Sequence, residues 1–98
     1  MGGKWFGRLP LAGANQCQIR FYPGGTFDFF CRGPEGWAGQ GHYHVRGDAL
    51  DMEYLWISQR GTKSNTVPNP LKLQLKGELN HVDATLPSGD RLSWDRKL

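Results

Sequence analysis

Residues 16–33, QCQIRFYPGGTFDFFCRG, alternate apolar and polar side chains on two arms that mirror each other about Pro23-Gly24-Gly25. With Tyr22 set opposite Thr26, Phe21 meets Phe27, Ile19 meets Phe29 and Cys17 meets Cys31. That face is wholly apolar, while the other carries Gln18, Arg20, Tyr22, Thr26, Asp28, Phe30 and Arg32. Strand side chains switch faces at every residue, so a slip of one position would turn the whole apolar set into water. Matching alternation on both arms therefore predicts an antiparallel hairpin in this register, with one face buried.

The pattern recurs along the chain. In GHYHVRGDALDMEYLWIS, residues 41–58, Gly47-Asp48 has the glycine-first order of a type II′ turn. Pairing Arg46 with Ala49 puts Val45 opposite Leu50 and Tyr43 opposite Met52, and simple alternation carries Tyr54 and Trp56 onto the same inner face. Leu71, Leu73 and Leu75 alternate with polar residues, with Gly77-Glu78 as a point of break or bulge. Val82, Ala84 and Leu86 follow, then Leu92, Trp94 and Arg96 after the turn Pro87-Ser88-Gly89-Asp90, and Gly3–Arg8 makes a short first strand. No stretch has a helical apolar stripe. Fourteen glycines, six prolines and a chain of 98 residues suit many short strands in one domain spanning 1–98. The fold expected is all-β: seven or eight strands in a single antiparallel up-and-down barrel, with a β-sandwich as the alternative.

The hairpin register leaves three readings for Cys17 and Cys31. A disulfide is favoured, because directly opposed Cβ atoms lie about 4.5–5.5 Å apart, close to bridging range. Two free thiols packed as small apolar groups is the alternative. A zinc site or redox dithiol lacks the neighbouring ligands or helix N-terminus it needs. A bridge implies an extracytoplasmic compartment, periplasmic or secreted; free thiols would suit the cytoplasm. Residues 1–15 contain no signal-peptide core, so any leader is read as already removed, with Met1-Gly2-Gly3 as a possible cloning remnant. No apolar run is long enough to span a bilayer as a helix. The net charge of +3 is spread over Arg8, Arg20, Arg32, Arg46, Arg60, Lys72 and Lys76, so nucleic acid is not the expected partner.

Gly3-Lys4-Trp5 resembles the G-x-W opening motif of lipocalins, and Arg96 stands at the late position of their basic residue. More closely, the run Trp5, Ile19-Arg20-Phe21, Gly24-Gly25-Thr26-Phe27, Gly41-His42-Tyr43 and Gly47-Asp48-Ala49-Leu50 is similar to the short bacterial lipocalin-like domains. The resemblance implies a Trp plugging one barrel end under a basic side chain. It also implies a non-enzymatic protein that binds a small apolar ligand or a protein partner. A fainter similarity, to small periplasmic inhibitors of secreted metalloproteases, implies as the alternative an inhibitor of a secreted hydrolase or protease.

Three groups are candidates for function. Phe21, Phe29, Tyr43, Met52, Tyr54 and Trp56 would line an interior ligand site, unless their bulk fills the barrel. Tyr22, Phe30, Arg20 and Arg32 share the outer face of the first hairpin, with Leu55 and Ile57 also expected outside; aromatic and Arg side chains together suit a partner interface or a homodimer. His42, His44, Asp51 and Glu53 set two imidazoles opposite two carboxylates, a weak metal candidate that cross-strand charge pairing explains as well. His81 and Asp83 are read as surface. Ser58, Ser64, Ser88 and Ser93 lack a nucleophile-elbow context, so no catalytic residue is assigned, no cofactor is implied and no enzyme activity is expected.

Overall fold

A computed structural model of the protein describes residues 2–97; Met1, the start of the possible cloning remnant, lies outside them, as does Leu98. Nine strands form among the described residues: β1 (Gly3–Gly7), β2 (Gln16–Phe21), β3 (Thr26–Arg32), β4 (Ala38–Arg46), β5 (Ala49–Gln59), β6 (Thr62–Lys63), β7 (Leu71–Glu78), β8 (His81–Thr85) and β9 (Arg91–Lys97). All pairings are antiparallel. The sheet runs β4-β3-β2-β1-β9-β8-β7-β5, and β4 also pairs β5, which closes eight strands into an up-and-down barrel. β6 is a two-residue flap on the end of β5. Closure removes the open edges that a sandwich would have to protect. No helix occurs among the described residues, and none is long and apolar enough to cross a membrane.

Both predicted hairpins form in the predicted register. Cys17 faces Cys31, Ile19 faces Phe29 and Phe21 faces Phe27. His42 faces Glu53, Tyr43 faces Met52 and His44 faces Asp51. Gly47 has φ 58°, as the first central position of a type II′ turn requires. β7 runs through Gly77 to Glu78 with its pairing to β8 unbroken, so the expected break is absent.

Side chains fill the barrel. Trp5, Ile19, Phe21, Phe27, Phe29, Leu50, Met52, Tyr54, Ile57, Leu73, Leu92 and Trp94 form one buried cluster. The rings of Phe27 and Phe29 need room on β4, and the chain supplies it with Gly41 and Gly39, their direct partners. A Cβ on Gly41 would lie 2.7 Å from the Phe27 ring and 2.0 Å from the Glu53 carbonyl oxygen. Close approach of this kind is what glycine inside a strand is for. One end is covered by the segment between β1 and β2, which folds inward so that Leu9 and Ala14 are fully buried. Trp37 anchors it by donating Nε1–H to the Ala12 carbonyl at 2.8 Å.

One expectation about faces is overturned. Gln40 pairs Trp56 while Gly41 pairs Tyr54, so Leu55 is an extra residue on β5. Such a bulge shifts the alternation by one position beyond it. Trp56 therefore leaves the interior and donates its Nε1–H to Gln40 Oε1 at 3.1 Å, with the Lys63 ammonium 5.7 Å from its ring centre. Ile57, expected outside, takes the inward place and is buried.

Candidate functional site

The interior group keeps five of its six members on or at the edge of the barrel interior. Phe29 and Tyr54 rings lie 5.8 Å apart, and Phe27 lies 6.1 Å from Tyr54. Phe21 meets Tyr43 edge-on at 4.9 Å, and Met52 is fully buried. Tyr43 is half-buried, and its hydroxyl donates to the Tyr22 carbonyl at 2.7 Å. These rings contact one another as a core does. The Tyr54 hydroxyl is buried with no hydrogen-bond partner among the described residues, and burial pushes its pKa up to about 12.

On the outer face, β1, β2 and β3 place Phe6, Gln18 and Phe30 side by side in register. One residue pair further along, Gln16 faces Arg32. Together with Asn15 these side chains line a cleft of about 430 Å³. Phe30 is 46% exposed, and Phe6 is half-buried beside it. Phe30 and Arg32 of the expected interface thus share one cleft. Arg20 and Tyr22 lie outside it, both tied to Asp28. Arg20 holds that carboxylate through two hydrogen bonds of 2.9 and 3.0 Å, and the Tyr22 hydroxyl donates to it at 2.7 Å. The hydrogen bond to Asp28, before burial or charge, raises the Tyr22 pKa above 10.0.

Phe6 is the member that sequence reading missed. Its signal was present: if Trp5 points inward, Phe6 points outward, and antiparallel pairing with β2 delivers it beside Gln18. Missing was the β1–β2 register, which no tight turn fixes, because eight residues separate the strands. Register also assembles a row of cations: Lys97 opposes Lys4, and Lys4 opposes Arg20. Like charges directly opposite on neighbouring strands destabilise a sheet.

The four metal candidates stay in their expected cross-strand pairs. Asp51, however, is engaged by Arg46 at 2.9 Å, and no group of three or more His, Cys, Asp or Glu suited to a metal ion occurs among the described residues. A different histidine has the closer carboxylates. His81 Nδ1 lies 2.7 Å from Asp95, its Nε2 lies 3.4 Å from Asp83, and the Ser93 hydroxyl donates to Asp83 at 2.8 Å. The hydrogen bond to Asp95 is the main cause of a raised His81 pKa. Cys17 and Cys31 lie at disulfide distance, with sulfurs 2.07 Å apart, which is compatible with an oxidising compartment outside the cytoplasm. No protein-family model matches the chain, and no curated protein matches it either.

Proposed function

We propose that this chain is a non-enzymatic binding module of lipocalin-like build, which engages a protein partner on its outer face. The observation that carries the reading is the distribution of aromatic surface. Phe21, Phe27, Phe29, Met52 and Tyr54 pack against one another inside, whereas Phe6 and Phe30 flank an open cleft outside. Aromatic side chains next to Arg are the common anchors of protein interfaces. The Arg96 guanidinium, 5.9 Å from the Trp5 ring centre, supports the lipocalin-like part, since that resemblance calls for a basic side chain over this Trp. The cysteine pair supports work in the periplasm or outside the cell.

The test is selection of a random-peptide phage library on the native protein, followed by rebinding of the enriched phage to Phe6→Ser and Phe30→Ser variants. Retention that falls with either substitution, at unchanged melting temperature, is the expected result. Enrichment indifferent to both substitutions removes the outer face from the account.

A second reading is favoured by one observation, the unpartnered Tyr54 hydroxyl in the barrel interior. A small, mainly apolar ligand with one hydrogen-bonding group would satisfy it. In that case an apolar dye would brighten on mixing with the protein, and Tyr54→Lys would abolish the rise.

A further inference from the structure

The outer cleft has a sign as well as a shape. On the connected face of β9, β1, β2 and β3 stand five cationic side chains, Arg91, Lys97, Lys4, Arg20 and Arg32, against two carboxylates, Asp95 and Asp28. Both carboxylates are engaged within the fold: Asp28 by Arg20 and Tyr22, and Asp95, which stands directly opposite Phe6, by the His81 ring, whose charge offsets it only when the imidazole is protonated. Arg32, Lys4 and Lys97 have no ion-pair partner among the described residues. Two of these, Lys4 and Lys97, are also directly opposed across β1 and β9, where their repulsion is uncompensated. The uncompensated charge of the face is therefore positive, and it brackets the aromatic pair. Arg32 lies toward one barrel end from Phe6 and Phe30, and the lysines lie toward the other.

Resting on the reading of this face as a partner site, we propose that its occupant is an acidic segment of a partner protein. An aromatic or large apolar side chain of that segment sits between Phe6 and Phe30, and a flanking carboxylate pairs with Arg32. The cleft is concave, with room of about 430 Å³ for one large side chain and its adjoining backbone. Asn15, Gln16 and Gln18 supply amide donors and acceptors for that backbone. A second copy of this chain is disfavoured by the same charges, because an isologous contact through this face would bring its surplus of cations against the same surplus on the other copy. A single-stranded nucleic acid would use the cations too. It stacks its bases on exposed ring faces, however, and within the cleft Phe6 is half-buried, leaving Phe30 as its one well-exposed ring, while the exposed Tyr22 lies outside it with its hydroxyl held by Asp28.

The experiment titrates the native protein with three fluorescent probes: a peptide alternating glutamate and phenylalanine, its counterpart alternating lysine and phenylalanine, and an oligothymidylate. Backbone amide NMR shifts locate each site. The glutamate peptide should shift Phe6, Gln18, Phe30 and Arg32, and bind about tenfold or more tightly than the lysine peptide. Arg32→Glu should weaken it by a similar factor, Lys4→Glu by less, and added salt should weaken it in both native and variant proteins. Arg32 and Lys4 are exposed, so melting temperatures that do not fall separate lost contact from lost fold, and Lys4→Glu should raise its own by relieving the repulsion from Lys97 and Arg20. Equal binding of the two peptides, indifference to Arg32→Glu, tighter binding of the oligonucleotide at this face, or no binding at all would overturn the proposal. Phage retention that depends on Phe6 and Phe30 without an acidic bias would sink this proposal and leave the partner site standing. Phage retention indifferent to both Phe6→Ser and Phe30→Ser would sink both.

Discussion

At the scale of single residues, the Tyr54 hydroxyl is the one buried side-chain polar atom without a partner among the described residues. An unsatisfied buried polar group costs about 1–3 kcal/mol. Tyr54→Phe should therefore raise stability, by about 1 kcal/mol, in urea unfolding followed by tryptophan fluorescence. A loss of stability instead would mean that the hydroxyl has a hydrogen-bond partner in the free protein, which would remove the observation behind the interior-ligand reading. Tyr54 also leaves a mark at high pH. Its folded pKa of about 12 stands above the ordinary 10.0, so its contribution is complete below pH 10.0 and is lost as pH rises through 12. Tyr54→Phe should remove that part of the alkaline unfolding. His81 obeys the same sign at lower pH. Its pKa is raised, first by the hydrogen bond that its ring donates to Asp95, so its stabilising contribution is fully present below pH 6.5 and is lost as pH rises through the folded value. NMR titration of the ring should place its midpoint above 6.5, and Asp95→Asn should lower it. A native midpoint at or below 6.5 would contradict the pairing.

Among elements, β4 and β5 carry the most exacting packing. Gly41→Ala would drive a methyl into the Phe27 ring and the Glu53 carbonyl, and should cost about 2–3 kcal/mol as an overpacked core does. Gly24→Ala, in the β2–β3 turn with open space around it, should be neutral or slightly stabilising, and so serves as the control. Equal effects in a thermal melt would refute this account of the β4 glycines. The same pair of strands marks where sequence stopped being legible. The two tight hairpins were readable down to individual partners, because Pro23-Gly24-Gly25 and Gly47-Asp48 fix register and the apolar pattern fixes the face. The bulge at Leu55 was not, since Tyr54-Leu55-Trp56-Ile57 is apolar on both faces and alternation cannot choose between them. Nor was the fold of residues 8–15 over the barrel end, where Leu9 and Ala14 are too few to make a period.

For the whole molecule, an antiparallel barrel of seven or eight strands was implicit in the succession of hairpins, and eight close it; the two-residue β6 left no signal of its own. The site was only half legible, because Phe6 and the lysine row reach Phe30 and Arg32 through long-range pairing that no local pattern encodes. The cross-link between β2 and β3 acts at this scale as well. Cys17 and Cys31 are separated by 14 positions, and a bridge closing a loop of that size contributes about 3 kcal/mol, mainly by constraining the unfolded chain. Cys17→Ser with Cys31→Ser should lower the urea midpoint accordingly, and reductant should do the same to the native protein while leaving the double variant unmoved. Recognition outside a filled barrel is tested most directly by two NMR reporters watched together during titration with the glutamate–phenylalanine peptide: the buried Met52 methyl and the exposed Phe30 ring. The Phe30 ring signals should move while the Met52 methyl stays in place. A shift of the Met52 methyl with Phe30 unchanged would put the binding site inside the barrel and contradict the account.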